Sequence, residues 1–241
     1  MKKIVLTAAI LAMGAGVAQA QSLRMGTEGA YPPYNFINDS GEVDGYEREL
    51  GDIICERAEL DCTWVTNDWD SIIPNLVSGN YDTIMAGMSI TAERQEVISF
   101  TQNYIPPIAS AYVALSDDID PETAIIAAQA GTIQAGHVSE TGATLLEYAT
   151  LDDTLAAVRN GEADAVLADK DVLTPHVEES SGQLVWVGED VALGEGIGIG
   201  LRQSDGELRD KLDAVITELK EDGTINELIV KWLGEDATTY E

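Results

Sequence analysis

The stretch that decides the fold is "LVSGNYDTIMAGMSITAERQ", residues 76–95. Its first half predicts the end of a helix, a C-terminal glycine at Gly79 and a buried strand that ends in small residues. The segment "VRNGEADAVLAD", residues 158–169, repeats this pattern 82 residues later, with Gly161 in the place of Gly79. Open α/β sheets bind ligands beyond the carboxyl ends of their strands, so we expect the loops after both strands to contribute to a binding site.

The remaining sequence alternates strand-like runs with helical patterns, which is typical of α/β proteins built from βαβ units. The predicted strands are "LRMGT" (23–27), "CTWV" (62–65), "DTIMAGMS" (82–89), "AYVAL" (111–115), "IIAAQ" (125–129), "AVLAD" (165–169) and "IGIGL" (197–201). Two segments with apolar residues at helical spacing predict helices, namely "YERELGDIICERAEL" (46–60) and "LRDKLDAVITELK" (208–220). The chain is long enough for one large domain or two small ones.

The first twenty residues have the three parts of a secretory signal peptide. "MKK" is a positively charged start, residues 4–17 are mostly apolar, and "AQA" ends a small-residue cleavage site at Ala20. The apolar run is too short to span a bilayer. The sequence therefore predicts a periplasmic protein cleaved after Ala20, without a lipid anchor at that site because the first cysteine is Cys55.

The chain is strongly acidic, with 43 Asp and Glu residues against 13 Lys and Arg residues. Removal of Lys2 and Lys3 with the leader changes the formal net charge from −30 to −32. Such a chain repels nucleic acid and anionic membranes, so both are excluded as partners. The charge suggests a saline habitat in which counterions screen self-repulsion, and an ordinary acidic secreted protein is the alternative.

The two cysteines, Cys55 and Cys62, predict one short disulfide in an oxidising compartment, joining the end of a helix to a strand. A metal site is not predicted, because His137 and His176 are the only histidines and have no ligand-like spacing to each other or to the cysteines.

Motifs of catalysis and cofactor binding are missing from the sequence. "GMSIT" (87–91) departs from the nucleophile elbow G-x-S-x-G at its last position. "GEGIGIGLR" (194–202) lacks the G-x-G-x-x-G spacing of a dinucleotide-binding turn and predicts a crowded strand instead. We therefore expect that the protein binds no cofactor and is not an enzyme.

Arg94 is the first candidate for a binding residue. Thr91 predicts the N-cap of a helix that continues through "AERQEVI", residues 92–98. Arg94 then lies in the first turn, where the positive end of the helix dipole disfavours a cation. Its neighbours four residues away, Ile90 and Ile98, are apolar and cannot form an ion pair with it. An anion held between the small-residue loop and the helix start would explain the arginine.

Other candidates lie in loops between predicted elements or at the start of a predicted helix. They are Glu28 and Tyr31 in "GTEGAYPPYNF" (26–36), Glu47 at a helix start, Trp69 between two aspartates, and Thr132 in "QAGTIQ" (129–134). Thr132 predicts a helix N-terminus and so a second site for an anion. The alternatives are core packing for the aromatic residues and ordinary solvated carboxylates for the glutamates.

With these motifs in view, the mature chain resembles, from end to end, the periplasmic solute-binding proteins for polar amino acids. "SIT..R", the spaced cysteines, "QAGTIQ" and the C-terminal "LKEDGTINELIVKWLG" carry the resemblance, which points to the lysine/arginine/ornithine, histidine and opine group. It implies an α/β protein with the type II periplasmic-binding-protein fold, in which two lobes joined by two hinge strands close over a ligand in the interlobe cleft. Lobe 1 is expected at 21–108 and 194–241 and lobe 2 at 109–193. The resemblance also implies a monomer without a cofactor, which delivers an amino acid to an ABC transporter permease in the inner membrane.

By the same resemblance, one end of the cleft holds the α-carboxylate and α-ammonium groups of the ligand. Arg94 is implied as the clamp for the carboxylate, helped by Ser89 and by Thr132 from the facing lobe. Asp169 and the backbone around Ala86 and Gly87 are implied to hold the ammonium group. Lys170, which follows Asp169 directly, is expected to neutralise part of its charge.

The rest of the implied site surrounds the ligand side chain. Its members are the stem-sandwiching aromatics Tyr31 and Trp69, the distal residues Glu28, Glu47 and Gln134, and the additional lining residue Gln129. Glu28 stands where the basic amino-acid binders usually have Asp, and Ala86–Gly87 replaces a serine pair. The glutamate and tryptophan of the site, Glu28 and Trp69, resemble those of the opine and arginine binders. The expected ligand is a cationic amino acid, namely arginine, lysine, ornithine or histidine.

Three alternatives remain at this stage. The first is a binder of opines or of neutral polar amino acids. The second is a cyclohexadienyl or arogenate dehydratase on the same scaffold, which would need a general acid beside a ring-shaped apolar pocket. The third, the extracytoplasmic domain of a sensor, is disfavoured because no membrane helix precedes Glu241.

Overall fold

The structure is a computed structural model that describes residues 21–241. The predicted signal peptide, residues 1–20, and its cleavage after Ala20 lie outside the described residues. None of the helices within the described part is long and apolar enough to cross a lipid bilayer.

The strands and helices alternate along the chain as an α/β protein requires. In chain order the strands are β1 (Gln21–Thr27), β2 (Ala30–Tyr31), β3 (Asn35–Ile37), β4 (Val43–Asp44), β5 (Leu60–Thr66), β6 (Thr83–Ile84), β7 (Ile98–Ile105), β8 (Ala109–Ala114), β9 (Ile125–Gln129), β10 (Thr144–Tyr148), β11 (Ala165–Asp169), β12 (Val185–Ala192) and β13 (Ile197–Arg202). The helices are α1 (Tyr46–Arg57), α2 (Ile72–Val77), α3 (Ala92–Gln95), α4 (Ile133–Ser139), α5 (Leu151–Arg159), α6 (Lys170–Glu179), α7 (Gly206–Glu221) and α8 (Thr224–Leu233), and a 3₁₀ turn covers Trp69–Ser71.

Two five-stranded sheets form the centres of two lobes. The first has the order β5-β1-β6-β13-β7 and the second the order β10-β9-β11-β8-β12. In each sheet the three strands at one side are parallel, and the fourth is antiparallel to both of its neighbours. The two sheets therefore share one topology, and we call the parts that contain them lobe 1 and lobe 2. A small antiparallel sheet, β2-β3-β4, is added to lobe 1.

The chain crosses between the two sheets twice. β7 belongs to the first sheet and β8 to the second, so residues 106–108 form one crossing. β12 belongs to the second sheet and β13 to the first, so residues 193–196 form the other. Lobe 1 is therefore discontinuous in sequence, while lobe 2 is one continuous segment.

The internal repeat occupies the central strand of each sheet, β6 and β11. The backbone N–H of Asp82, just before β6, donates to the carbonyl of Arg24 at 2.8 Å, and its carboxylate accepts from the Arg24 N–H at 3.0 Å. Asp164, just before β11, makes the same two bonds with Ile125, both at 2.8 Å. The repeated aspartate thus joins the central strand to its parallel neighbour in both lobes.

Two elements are shorter in the structure than the sequence predicts. The strand expected at 82–89 is a regular strand only at Thr83–Ile84, because the chain then turns to line the cleft and Gly87 adopts a φ of +62°. Ser89 returns to the sheet through a single bridge to Ile197. The helix expected to continue to Ile98 is the single turn α3, because Ile98 is buried as the first residue of β7. The other predicted strands and both predicted helices are confirmed, with shifted ends.

The predicted disulfide is confirmed: Cys55 near the end of α1 is bonded to Cys62 in β5, with the two Cα atoms 6.1 Å apart. Helices α1, α7 and α8 pack with β1 and β13 through buried apolar residues such as Leu50, Ile199 and Ile216. This packing leaves the carboxyl ends of β1 and β6 free to face the corresponding ends of β9 and β11.

Candidate functional site

A cavity with about 300 Å³ of empty space, part of it open to solvent, lies between the lobes, beyond the carboxyl ends of the central strands. Its lining residues are Glu28, Tyr31, Trp69, Ala86, Gly87, Ser89, Arg94, Gln129, Thr132, Ile133, Gln134 and Asp169. All the residues predicted to bind ligand are in this set except Glu47. Ile133 was not predicted from the sequence as a lining residue, although its position next to Thr132 in the "QAGTIQ" segment is a signal that could have identified it.

Arg94 is held from both lobes. Its backbone N–H donates to the N-cap hydroxyl of Thr91 at 3.1 Å, which sets the start of α3. The guanidinium donates to the carbonyl of Ser89 at 2.8 Å and to that of Gly131 in lobe 2 at 3.2 Å. It also lies 5.3 Å from the centre of the Trp69 ring, within cation–π range.

The charge of Arg94 is uncompensated by an ion pair within residues 21–241, because none of the ion pairs there includes it. Burial lowers the pKa of Arg94 to about 10, opposed by the charges of Asp169 and Glu93. The guanidinium stays protonated at neutral pH and can still accept an anion from the cavity. The dipole of this helix disfavours a cation at Arg94 less than the sequence predicts, because α3 has only four residues and its first turn is also its last.

Asp169 ends β11 and is almost fully buried. Its carboxylate accepts hydrogen bonds from the Tyr31 hydroxyl of lobe 1 and from the side-chain amide of Gln134, each at 2.8 Å. Burial and the nearby charge of Asp171 raise the pKa of Asp169 to about 7, opposed by Tyr31, Arg94 and Gln134. The expected neutralisation by Lys170 is wrong, since that side chain points outward and pairs with Asp190 at 2.6 Å.

Glu28 lies in the loop after β1, at another part of the cavity. The side-chain amide of Gln129 in lobe 2 donates to it at 2.6 Å and to the carbonyl of Ala149 at 3.0 Å. Burial raises the pKa of Glu28 to about 7, opposed by the bond from Gln129. The amide expected beside Glu28 was that of Gln134, which instead bonds to Asp169 and to Ser110. Gln129 therefore has the neighbour that was predicted for Gln134.

Glu47 does not line the cavity, which corrects the prediction. It is fully buried behind Gly87, and its carboxylate accepts from the Gly87 N–H and from the amide of Asn35, both at 2.7 Å, and from the hydroxyl of Tyr104. Burial raises the pKa of Glu47, and these three donors oppose the shift. The side chain points inward because it lies on the buried face of α1, so it supports the cavity floor instead of contacting its contents.

The remaining polar lining comes from two loop-to-helix turns. Thr132 is the N-cap of α4: its hydroxyl accepts from the Ala135 N–H at 3.2 Å and donates to the Gln129 carbonyl at 2.7 Å. This hydroxyl is already engaged, so the free donors here are the first backbone N–H groups of α4. A side chain at Gly87 would meet the Tyr31 ring at 3.2 Å and would also be strained at positive φ.

The cavity thus presents one cation, Arg94, and two shielded carboxylates, Asp169 and Glu28, between aromatic walls. This arrangement is suited to holding a small molecule that carries one carboxylate and two cationic groups. In the described part of the chain, no cluster of three or more His, Cys, Asp or Glu residues is placed to hold a metal ion.

Comparisons with known proteins agree with this geometry. Residues 23–235 match the family model of the bacterial extracellular solute-binding proteins, family 3. The chain is 30% identical to the octopine-binding periplasmic protein of Rhizobium meliloti, over 100% of this chain and 99% of the relative. It is also 30% identical to the histidine-binding periplasmic protein of Escherichia coli K12, over 98% of both chains.

A solved structure extends the comparison. The chain is similar to a periplasmic His/Glu/Gln/Arg/opine family-binding protein from Silicibacter pomeroyi, whose crystal structure is in complex with lysine. The two are 71% identical with a TM-score of 0.89, over 90% of this chain and 100% of that protein. These relatives are binding proteins and not enzymes. The chain therefore belongs to the bacterial extracellular solute-binding proteins, family 3.

Proposed function

We propose that this protein captures a cationic amino acid, with lysine as the first candidate, in the periplasm and delivers it to an ABC importer. The observation that carries the proposal is the charge pattern of the cavity, in which Arg94 is accompanied by two carboxylates, Asp169 and Glu28, at different places in the lining. With all three groups ionised the lining carries a net charge of about −1, which complements a ligand of charge +1.

Each charged group has one partner in the proposed complex. The ligand carboxylate pairs with the guanidinium of Arg94 and with the free N–H groups at the start of α4, and its α-ammonium pairs with Asp169. The side-chain cation reaches Glu28, and the apolar stem lies between Tyr31 and Trp69. The pKa values of about 7 belong to the cavity without ligand, and a bound cation would lower both and keep the carboxylates ionised.

A single amino acid suits the cavity better than an opine. Tyr31 of lobe 1 bonds directly to Asp169 of lobe 2, so the two lobes approach each other closely around the cavity. The bond between Glu28 and Gln129 also closes the lining between the lobes. The lysine complex of the Silicibacter pomeroyi protein supports the same choice. Octopine, the ligand named for the Rhizobium relative, is the second candidate.

The proposal includes the cellular context of the chain. Cleavage after Ala20 would release a periplasmic protein, as the two periplasmic relatives suggest. We place lobe 1 at 21–108 and 194–241 and lobe 2 at 109–193, in keeping with the two crossings between the sheets. The protein acts as a monomer and presents the ligand to an inner-membrane permease of the ABC transporter class.

Isothermal titration calorimetry with lysine, arginine, ornithine, histidine, octopine, glutamine and glutamate tests the proposal. A cationic amino acid should bind most tightly, and glutamate should bind far more weakly because its side chain would meet like charge in a dry site. If glutamate or a neutral amino acid binds most tightly, the cationic assignment is wrong. If octopine does, the cavity must open further than this structure indicates.

The variant Glu28→Gln isolates the distal charge. It should weaken lysine binding at least about tenfold, because it removes the charge that faces the ligand side chain, and it should weaken glutamine binding much less. Glu56→Gln is the matched control, since Glu56 is an exposed carboxylate on α1 away from the cavity. An equal loss for lysine and glutamine in Glu28→Gln would show that Glu28 does not recognise charge.

A further inference from the structure

Two tyrosines of lobe 1 donate hydrogen bonds to two aspartates of lobe 2. Tyr31, in β2, bonds to Asp169 at the end of β11 at 2.8 Å. Tyr34, three residues later, bonds to Asp171 in the first turn of α6. The first pair lines the cavity, but neither member of the second pair does. Asp171 instead borders a separate surface groove beside the chain crossing at 106–108.

Both partners of the second pair are fixed within their own lobes. Tyr34 is fully buried, stacks on the Tyr31 ring at 6.2 Å and meets the Tyr46 ring edge-on at 6.0 Å. Its carbonyl accepts from the N–H of Glu47 at 2.9 Å, which ties it to the start of α1. Asp171 accepts from the N–H of Val172 at 2.9 Å, within α6. The hydrogen bond therefore joins two positions that move only when their lobes move.

The energetic value of this bond depends on lobe closure. In the closed form the Tyr34 hydroxyl is out of reach of water, and the Asp171 carboxylate is partly buried, so each needs the other as a partner. When the lobes separate, both groups face water and need no such partner. Burial also raises the pKa of Asp171, while the bond from Tyr34 opposes the shift, as expected if the hydroxyl compensates for lost hydration.

We propose that the Tyr34–Asp171 hydrogen bond is an interlobe latch that stabilises the closed form without contacting the ligand. This inference rests on the proposed function, because the latch matters only in a protein that closes over a ligand. Since the bond lies outside the cavity, it strengthens the binding of every ligand equally. Tyr31, in contrast, affects selectivity because it holds Asp169 inside the cavity. Tyr34 and Asp171 are thus positioning residues.

The variant Tyr34→Phe removes the hydroxyl and keeps the ring. We expect the affinities for lysine and arginine to fall by the same factor, about fivefold to tenfold, with their ratio unchanged. Dissociation should become faster in stopped-flow measurements, because the closed form opens more readily. Tyr148→Phe is the matched control. It also removes a tyrosine hydroxyl that donates to a carboxylate, but the tyrosine and the carboxylate of Glu162 both lie in lobe 2.

Two further measurements separate a latch from an ordinary structural bond. In a double-mutant cycle with Asp171→Asn, the double variant should lose little more affinity than Tyr34→Phe alone. The melting temperature of the lysine complex should fall in Tyr34→Phe, and that of ligand-free protein should fall much less, because only its closed fraction contains the bond. Equal melting losses with and without lysine, or wild-type affinity in Tyr34→Phe, would overturn the latch.

Small-angle X-ray scattering makes the test independent of the ligand assignment. If wild-type protein binds no cationic amino acid, the proposed function fails, but ligand-free Tyr34→Phe should still be more open on average than wild type. If wild-type protein binds lysine and the variant closes and binds equally well, only the latch fails.

Discussion

At the residue scale, Arg94 shows how the protein orients a charged side chain toward the cavity. Two backbone carbonyls, from Ser89 and Gly131, fix the direction of the guanidinium, and the Trp69 ring covers one face. These contacts orient the cation but do not neutralise it. A carboxylate that enters the cavity supplies the missing charge, and the planar guanidinium can bind it with two parallel hydrogen bonds.

The substitution Arg94→Lys tests this geometry. Lysine keeps the charge but cannot satisfy both carbonyls and also offer a planar pair of donors. We expect the affinity for the cationic ligand to fall at least about tenfold, or about 1.4 kcal/mol, in calorimetry. Arg48→Lys is the control, because Arg48 forms an exposed ion pair with Asp52 on α1. Unchanged affinity in Arg94→Lys would mean that only charge, and not the guanidinium plane, is used.

At the scale of elements, the repeated unit explains why one loop in each lobe reaches the cavity. In both copies the helix ends at a glycine with positive φ, +81° at Gly79 and +75° at Gly161, which only glycine adopts without strain. The chain then enters a strand at the centre of its sheet. Central strands have neighbours on both sides, so their carboxyl ends are held firmly where ligand-binding residues are needed.

The disulfide also acts between elements. It links α1 to β5 at the end of the sheet opposite the cavity. We expect the double variant Cys55→Ser/Cys62→Ser to lose about 2–3 kcal/mol of unfolding free energy, the chain-entropy value for such a short loop. Urea unfolding of oxidised wild type, reduced wild type and the variant measures this loss. The ligand affinity of the variant should stay unchanged. Equal stabilities for oxidised and reduced wild type would contradict the prediction.

At the scale of the whole molecule, we expect the net negative charge of the chain to lower its stability at low salt. The 43 acidic residues repel one another over about 30 Å at 0.01 M salt but only over about 3 Å at 1 M. We therefore expect the melting temperature to rise substantially as NaCl is increased across this range, as followed by circular dichroism. Sucrose at matched osmolality is the control for effects other than screening. A flat response to NaCl would argue against adaptation to a saline habitat.

Lobe closure without ligand should depend on pH. Closing raises the pKa of Glu28 and of Asp169 to about 7 through burial, whereas separated lobes expose both groups to water. The closed form then binds protons more tightly, so acid favours it, and this advantage is lost as pH rises through about 7. Arg94, with a pKa of about 10, keeps its charge throughout.

Small-angle scattering of ligand-free protein should accordingly show a larger closed fraction at pH 6 than at pH 8. The variant Glu28→Gln should weaken this dependence, because it removes one of the carboxyl groups whose pKa is raised by closure, and Glu56→Gln should leave it intact. A closed fraction that increases with pH would contradict the assignment of these pKa shifts to closure.

The sequence by itself determined the α/β class, the repeated unit and the disulfide, and it marked some cavity residues, while the resemblance to a known family implied the other predicted ones. These features depend on local rules: hydrophobic periodicity, glycine at helix ends, and chemistry-bearing loops after buried strands. Arg94, Glu28 and Asp169 follow such strands or their loops, so their positions in sequence already indicated the edge of the sheet on which they lie.

Only the tertiary structure decided which way each side chain points and which partner it meets. Glu47 and Glu28 looked equivalent in sequence, but packing of α1 turns Glu47 inward, where Asn35 and Gly87 satisfy it. Gln129 and Gln134 have different neighbours because α4 starts between them and rotates the second toward Asp169. Lys170 points outward to Asp190 for a similar reason, since α6 begins directly after β11. Spacing along a chain fixes the face of an element, but the contacts that a side chain makes depend on how distant segments pack.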